Sequence, residues 1–311
     1  MITITSLFKT LRCIVLLIYY YIEAFIMNFC GTPKNVAGEI VLITGSAHGI
    51  GRQMAFNFAC LGAILVLWDI DEEANKETAA LAERNGALAV YTYKCDCGKQ
   101  EEVYAVADQV KKEVGDVNIL INNAGILTGK NFLDIPDNKM DETLDVNFKA
   151  HFWTCKAFLP AMIASNHGHL VSIASEVGIL GSNKLSEYAA SKAAVIGFLE
   201  SVAFELQAAG KKGIKTTIVC PYYVHTDLTI GVKTTRPCLL PILDVEYVGR
   251  TIVDGILKDK FYLFVPPTIA LAVLKVFLPR KGFFLLVQYF GIYENMADYK
   301  GHSAKKGYKK N

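Results

Sequence analysis

Six short apolar runs alternate with amphipathic stretches along most of the chain, and this alternation limits the possible fold more than any other feature. Each run is nearly continuous in apolar residues, which is typical of strands buried on both faces of a sheet. The stretches between them have helical apolar spacing, with helices predicted to about Leu61, over 72–84 and over 99–114. The predicted strands cover residues 40–44, 63–69, 87–93, 117–123, 169–175 and 214–220. The pattern predicts one α/β domain over residues 38–265 with a doubly wound, Rossmann-like parallel sheet.

Composition and charge exclude two classes of protein. Apolar residues make up 52% of the 311 and charged residues 20%, which excludes a globally disordered chain. The net charge is only +2, and residues 300–311 alone carry five lysines, so no nucleic-acid partner is expected. The eight cysteines include no C-x-x-C pair, and the chain has no N-x-[ST] sequon. Both facts favour a thiol-protecting compartment and a domain that faces the cytosol.

Residues 1–37 precede the first predicted strand and contain a hydrophobic segment. Residues 13–22 read CIVLLIYYYI without a charge, and Glu23 interrupts the apolar run before residue 30. A stretch of this length is near the lower limit for a transmembrane helix. No convincing small-x-small signal-peptide cleavage site is present. We interpret residues 1–37 as an uncleaved anchor that spans the membrane or lies in its interface, where the three adjacent tyrosines suit the headgroup level.

The composition changes again after Phe261, where residues 261–274 and 283–293 are uncharged. We separate a hydrophobic C-terminal extension, 266–299, from a basic tail, 300–311. The extension has two interpretations, which the sequence leaves open. It is a strand and helix that pack on the domain, or it is a second membrane-contacting surface or a wall of a lipid-substrate site.

A glycine-rich turn directly follows the first predicted strand and opens the first helix. It reads TGSAHGIG over residues 44–51. Gly45 permits a tight turn, Gly49 lets the backbone approach a pyrophosphate, and Gly51 lets helix and strand pack closely. Ser46 and Ile50 lie between these glycines and are expected to line the same ligand. The order of strand, turn and helix predicts a dinucleotide site.

Asp69 ends the second predicted strand and bears on which dinucleotide is bound. A carboxylate there accepts hydrogen bonds from ribose hydroxyls and repels a 2′-phosphate, so NAD is favoured over NADP. His48 lies where a cation could have offset that repulsion, but histidine carries no permanent charge. Asp69 has the alternative role of capping the next helix, which Asp71 fills equally well. Asp96, after the third strand, is a candidate adenine contact or a loop residue.

Tyr188 and Lys192 are four residues apart in a stretch with helical spacing, so they share one helix face. A nearby ammonium stabilises a phenolate, and a free phenol with a pKa near 10 needs such help to act as a base at neutral pH. Ser175 lies at the end of the preceding predicted strand, where it can orient a substrate hydroxyl or carbonyl. The three together predict proton-transfer chemistry.

These motifs resemble the short-chain dehydrogenase/reductase family. The matching pieces are TGSAHGIG, Asn122 to Gly125, Asn147, Ser175, and Tyr188 with Lys192. The resemblance covers roughly residues 38–260. Longer stretches such as NVAGEIVLITG, ILINNAGI and KGIKTTIVCP are similar to the 16C branch, which contains membrane-bound enzymes that oxidise retinol, steroids and lipid alcohols.

The resemblance assigns roles to the matching residues. It makes Tyr188 the general acid/base and Ser175 the residue that steadies the reacting oxygen. Lys192 would hold the nicotinamide ribose and lower the pKa of Tyr188, and Asn147 would anchor a water of a proton relay. Residues placed along the cofactor are Asn123, Ala124, Gly125 and Thr226. The chain departs from the common pattern after the sixth strand, where Tyr222 and Tyr223 follow Pro221 and add bulk near the nicotinamide.

The resemblance implies a membrane-associated oxidoreductase that transfers hydride between NAD and a lipophilic alcohol, with all-trans-retinol as the leading substrate. The alternatives are a steroid or other lipid alcohol, and a non-catalytic scaffold of the endoplasmic reticulum or lipid droplet. The expected location is the membrane of the endoplasmic reticulum or the lipid droplet, with the domain facing the cytosol. Membrane lipid is an expected partner. No metal site is expected, since the histidines lack a spaced carboxylate. Trp153 and nearby phenylalanines are interpreted as helix packing, with a homo-oligomer contact as the open alternative.

Overall fold

The computed structural model describes residues 4–30 and 33–301, which fall into two compact units, with the boundary along the chain between Asn35 and Val36. The first unit contains one long helix, α1 (Ile4–Cys30). Its side chains are exposed from Ser6 to Ile26, and apolar ones such as Phe8 and Ile14 are among them. Among the helices of the described residues, none combines the length and the apolar character needed to cross a membrane.

The second unit contains a seven-stranded parallel sheet in the order β3-β2-β1-β4-β5-β6-β7. Its strands are β1 (Ile40–Thr44), β2 (Ile64–Asp69), β3 (Ala89–Lys94), β4 (Ile119–Asn122), β5 (Gly168–Ile173), β6 (Ile214–Pro221) and β7 (Tyr262–Val265). The predicted single parallel sheet is therefore confirmed, and each of the six predicted strands is present within a few residues. The fifth strand ends two residues before Ser175, so Ser175 lies in the turn beyond it.

The helices of this unit cover both faces of the sheet. They are α2 (Gly49–Ala59), α3 (Glu72–Arg84), α4 (Gln100–Glu113), α5 (Asp137–Leu144), α6 (Ala150–Ser165), α7 (Ser186–Ala208), α8 (Val245–Leu257) and α9 (Arg280–Tyr289). Successive strand residues point to opposite faces, so Ile43 and Leu65 belong to one buried cluster while Leu42 and Val66 belong to the other. The strands contribute buried residues to both clusters, which explains why they are apolar at nearly every position.

The order of the strands creates a crevice at the carboxyl edge of the sheet. The chain leaves β1 toward β2 and β3 on one side, then returns to β4 on the other side of β1. Connections therefore diverge beyond the ends of β1 and β4. In open α/β sheets, ligands bind at this switch point.

Residues 266–299 lie in the same compact unit as the sheet. They include a 3₁₀ segment, Pro267–Phe277, and α9. Met296 is fully buried and Ile269 is nearly so, while Val276 and Phe277 are 71% and 80% exposed. One part of the segment thus packs on the domain, and another part presents apolar side chains to the surroundings.

Candidate active site

A cavity of about 930 Å³ occupies the crevice at the carboxyl ends of the strands. It brings together most of the residues expected from the sequence: Gly45, Gly49, Ile50, Asp69, Asp96, Asn123, Ala124, Gly125, Ser175, Tyr188, Lys192 and Thr226. Three predicted residues lie behind this wall and do not line the cavity. They are Ser46, Gly51 and Asn147, and each is buried.

The glycine turn is shaped by close backbone packing. Gly45 and Gly49 have φ values of +65° and +52°, in the left-handed region that favours glycine. A Cβ on Gly45 would lie 2.8 Å from Ala124 Cα, and a Cβ on Gly51 would lie 2.1 Å from Gly45 O. The turn therefore has no room for larger residues at two of its glycines, and Gly45 and Gly49 line the crevice.

Hydrogen bonds fix the turn to the end of β4 and to α3. Asn123 Nδ2 donates to the carbonyl oxygens of Thr44 and Gly45 at 2.9 and 3.0 Å. Thr44 Oγ1 accepts from the backbone amide of Ala124 at 3.0 Å. Ser46 Oγ donates to Asn75 Oδ1 at 2.8 Å, inside the protein. The role of Ser46 visible here is thus to hold the turn in place, and its partner Asn75 carried no signal in the sequence.

Asp69 lies half-buried at the end of β2, on the rim of the crevice. Its two carboxylate oxygens accept from the backbone amides of Ala47 and Asp71, both at 2.9 Å. Asp71 accepts from Ala74 N and so caps α3, which leaves Asp69 out of that role. His48 Nε2 lies 3.0 Å from Asp71 Oδ2. Asp69 and Asp71 therefore both line this rim, and two carboxyl groups there are unfavourable to an additional phosphate.

Asp96 lies on the same rim after β3. Its Oδ1 accepts from the amide of Gly98 at 3.0 Å, and its Oδ2 is 3.4 Å from Lys99 Nζ. The side chain shapes its own loop while it lines the cavity. An adenine contact for Asp96 stays a prediction.

Tyr188 and Lys192 lie in the first turns of α7, with Lys192 Nζ 5.5 Å from the centre of the tyrosine ring. Lys192 Nζ donates to Ile173 O at 2.7 Å, and burial lowers the pKa of Lys192 to about 8. Burial raises the pKa of Tyr188 well above its usual value, and the carboxyl of Glu176 adds to this, while a hydrogen bond with Ser175 opposes it. The resemblance led us to expect a lowered pKa, but here desolvation of the phenolate outweighs other effects.

Asn147 lies in a π-helical turn, Asp145–Lys149, and its side chain is fully buried. Its Oδ1 accepts from Ile126 N at 2.8 Å, and its Nδ2 donates to Ile126 O at 2.9 Å and to Ser191 Oγ at 3.1 Å. The amide thus joins the segment after β4 to α7. Its expected part in a proton relay stays a prediction. Because these three hydrogen bonds occupy the side chain, the main chain of Asn147 would have to bind the relay water.

Sequence reasoning missed Glu176, which directly follows Ser175. Ser175 Oγ donates to Glu176 Oε2 at 2.9 Å, and the glutamate side chain is only 8% exposed. Burial raises the pKa of this carboxyl to about 7, although hydrogen bonds from Ser175 and from backbone amides act in the opposite direction. An acidic residue next to a strand-end serine, in an otherwise apolar segment, was the available signal.

Two tyrosines and the C-terminal segment close the other side of the crevice. Tyr222 and Tyr223 are buried, and their rings meet edge to face with centroids 4.9 Å apart. The side-chain amide of Asn295 lies 3.3 Å from the Tyr222 hydroxyl. Met296 belongs to the same buried cluster as both tyrosines. Residues 295–296 therefore support the wall that the tyrosines form.

Comparisons with known proteins agree with this geometry. Residues 39–237 match the short chain dehydrogenase family. The chain is 55% identical to epidermal retinol dehydrogenase 2 of Mus musculus over 286 residues, covering 91% of this chain and 93% of the relative. It is 48% identical to short-chain dehydrogenase/reductase family 16C member 6 of Bos taurus, covering 91% and 90%. It is 44% identical to 17-beta-hydroxysteroid dehydrogenase 13 of Homo sapiens, covering 88% and 91%.

A solved structure supports the same assignment. A short-chain dehydrogenase/reductase from Burkholderia phymatum, determined in complex with NAD, superimposes with a TM-score of 0.70 and 28% identity. The match covers 77% of this chain and 93% of that one. The chain therefore belongs to the short-chain dehydrogenase/reductase family, and it is an oxidoreductase that acts on CH–OH groups.

Proposed function

We propose that the protein is a membrane-associated, NAD-dependent dehydrogenase of lipophilic alcohols, with all-trans-retinol as its leading substrate. The observation that carries the proposal is that the buried Ser175 and Lys192 and the partly buried Tyr188 line one crevice together with the glycine turn. The names of the similar proteins, retinol dehydrogenases among them, point to the substrate class.

The residues present fit a nicotinamide dinucleotide. A Cβ at Gly45 or Gly51 would collide with neighbouring backbone, so the tight turn requires glycine at both positions, and Gly45 and Gly49 line the crevice where the pyrophosphate would bind. Asp69 on the rim suits free ribose hydroxyls better than a 2′-phosphate, which favours NAD. A bound NAD would supply the hydride acceptor.

The chain's own residues would transfer the proton and hold the substrate oxygen. Tyr188 would take the alcohol proton at its phenolic oxygen, and Ser175 would hold the reacting oxygen by a hydrogen bond. The buried Lys192 would favour the phenolate once its ammonium is drawn away from Ile173 O toward the ribose. The raised pKa of Tyr188 means that this help is needed for oxidation near neutral pH.

The substrate side of the cavity is apolar and aromatic. Its lining includes Ile126, Val177, Leu185, Tyr222 and Tyr223. Such a wall suits a hydrocarbon chain or ring system rather than a sugar or a charged metabolite. A steroid or other lipid alcohol is the alternative substrate, and the similarity to 17-beta-hydroxysteroid dehydrogenase 13 favours it specifically. A non-catalytic scaffold is the alternative of another class, and the complete Ser175–Tyr188–Lys192 set argues against it.

Two apolar surfaces support a membrane location. One is the exposed apolar surface of α1, and the other is formed by Leu271, Val276, Phe277 and Leu285 in the C-terminal part of the second unit. Side chains of this kind, with Arg280 and Lys281 nearby, suit the interface of a bilayer or lipid droplet. We place the protein on the endoplasmic reticulum or lipid droplets, with residues 38–311 facing the cytosol.

The test is formation of NADH or NADPH by the purified full-length chain in detergent or in liposomes. The substrates are all-trans-retinol, a steroid alcohol and a long-chain alcohol, each with NAD and with NADP. Tyr188→Phe is the matched control, since it removes one hydroxyl and keeps the ring. Turnover of retinol that disappears in this variant supports the proposal. Turnover of the steroid alone selects the alternative substrate, and no turnover of any alcohol refutes the proposed function.

A further inference from the structure

Glu176 is a buried carboxyl group in the wall of the crevice, and the proposed reaction does not use it. It lines the same cavity as Tyr188, and its Oε2 accepts a hydrogen bond from Ser175 Oγ at 2.9 Å. Within residues 4–30 and 33–301, no lysine, arginine or histidine forms an ion pair with it. Burial of a carboxylate without a cation is unfavourable. Packing alone therefore does not explain an acidic residue at this position.

The groups that interact electrostatically with Glu176 lie on α7 and at the end of β6, and two lysines donate to backbone carbonyls close to it in the chain. Lys192 of α7 directs its ammonium to Ile173 O, and Lys275 of the 3₁₀ segment donates to Ile179 O. The remaining titratable neighbours are neutral near pH 7, because burial raises the pKa of each: Tyr188, Cys220, Tyr222 and Tyr223. The pKa of Glu176 itself is raised to about 7 by burial. Glu176 is thus the carboxyl of this wall that changes charge near neutrality.

The single hydroxyl proton of Ser175 links this charge to the reaction. An ionised Glu176 can only accept, so Ser175 donates to it, as the structure shows. Pro221 O, at 3.5 Å, and the hydroxyl oxygen of Tyr188 are the other acceptors within reach. A substrate carbonyl then meets the lone pairs of Ser175 instead of its proton. A protonated Glu176 can itself donate to Ser175 Oγ, and the serine proton is then available to the substrate oxygen.

We propose that Glu176 is a positioning residue that acts through Ser175, so that carbonyl reduction requires the protonated glutamate and weakens as this carboxyl ionises. The proton on Glu176 exchanges with solvent and is not consumed in the reaction. The inference rests on the proposed function, because it assigns Ser175 to the reacting oxygen. It adds a pH dependence that Ser175, Tyr188 and Lys192 alone do not supply.

The test is the pH profile of kcat/KM for reduction of all-trans-retinal with NADH, with the steroid ketone as second substrate. We expect a fall of at least about tenfold between pH 6 and pH 9 in the wild type, since one hydrogen-bond donor to a developing oxyanion is worth about 100-fold or more. Glu176→Gln keeps the shape of the side chain but cannot ionise, so its kcat/KM should not show this fall between pH 6 and pH 9. Lys192, with a pKa of about 8, adds a limb common to both proteins.

Two controls separate positioning from a structural role. Glu187→Gln changes another buried carboxyl group, which accepts from Thr128 N, and should leave the profile unchanged. In a Ser175→Ala background, Glu176→Gln should have no effect on the profile, because the residue through which it acts is gone. An unchanged profile in Glu176→Gln, or the same change in both backgrounds, overturns the inference.

Thermal unfolding gives a readout that does not depend on turnover. The folded state raises the pKa of Glu176 above the value near 4.3 of a free glutamate, so it binds more protons than the unfolded chain between these values. As the pH rises from about 4.5 to about 7, the melting temperature of the wild type should therefore fall by about 5 °C or more relative to that of Glu176→Gln. If the melting temperatures of the wild type and Glu176→Gln change in parallel with pH, the inference is overturned even where turnover is normal. Absence of any turnover in the wild type instead refutes the proposed function.

Discussion

Replacing Asp69 by asparagine should change the choice between NAD and NADP more than any other single substitution in the crevice. The substitution removes one negative charge and keeps the size of the side chain. Asp69 uses its two oxygens to accept from the amides of Ala47 and Asp71 at 2.9 Å. Asparagine retains one of these acceptors, so the turn should keep its shape while the rim loses its charge.

The expected size of the effect follows from Coulomb's law. A carboxylate about 4 Å from a phosphate charge costs roughly 1 kcal/mol in water and roughly 4 kcal/mol at an effective dielectric constant near 20. Asp69 is half-buried, so its environment lies between these limits. Because about 1.4 kcal/mol corresponds to a factor of ten, the discrimination against NADP per charge pair lies between about fivefold and several hundredfold. Asp69→Asn should recover most of that factor.

The assay compares kcat/KM for NAD and NADP with one alcohol, together with equilibrium binding of both dinucleotides. Asp71→Asn is the matched control, because it makes the same chemical change two residues away and keeps a capping oxygen for α3. The ratio of NAD to NADP should fall at least fivefold in Asp69→Asn, and less in the control. A wild-type preference for NADP, or equal ratios in wild type and Asp69→Asn, would refute this role of Asp69.

Three further predictions concern the catalytic group, the glycine turn and the N-terminal unit. Tyr188→Phe should lower turnover by about 100- to 10,000-fold with little change in NAD binding, measured by kinetics and calorimetry; near wild-type turnover would remove the tyrosine from this role. Gly51→Ala should destabilise the folded protein by about 1–3 kcal/mol or more, because its Cβ would lie 2.1 Å from Gly45 O. The substitution should therefore lower the melting temperature and weaken NAD binding. Gly197→Ala, where nothing lies within 4 Å, should instead stabilise α7 slightly, and equal effects would contradict the packing argument. Deleting residues 1–30 should weaken membrane attachment in flotation assays and leave the fold and NAD binding intact, because the sheet lies wholly in the second unit; unfolding on deletion, or full solubility of the intact chain, would contradict it.

The sheet and most of the crevice were predictable because their signals are local. A strand buried on both faces must be apolar at nearly every position, so β1 and β2 stand out in the sequence. Glycines that leave no room for a Cβ occur at fixed spacing along the turn, and a tyrosine and lysine four apart share a helix face. Each of these signals lies within a few consecutive residues.

The rest of the site was not predictable because it depends on contacts between distant residues. Ser46 finds Asn75 across 29 positions, and Asn295 reaches Tyr222 across 73. The raised pKa of Tyr188 comes from burial in the folded chain, whereas sequence spacing shows only its neighbour on the helix. β7 lies in a long uncharged run that continues into a 3₁₀ segment, so neither periodicity nor charge separates the two.

Hydrogen bonds and the short chain segment from Asn123 to Ile126 together connect the glycine turn to Tyr188. Asn123 donates to Gly45 O and belongs to the segment that continues to Ile126. The side chain of Asn147 holds both the amide and the carbonyl of Ile126, and it also donates to Ser191 Oγ. Ser191 Oγ in turn donates to Tyr188 O at 2.7 Å. Because buried hydrogen bonds are costly to leave unmade, this path fixes the distance between the cofactor turn and the tyrosine, and it gives Asn147 a positioning role without contact with the crevice.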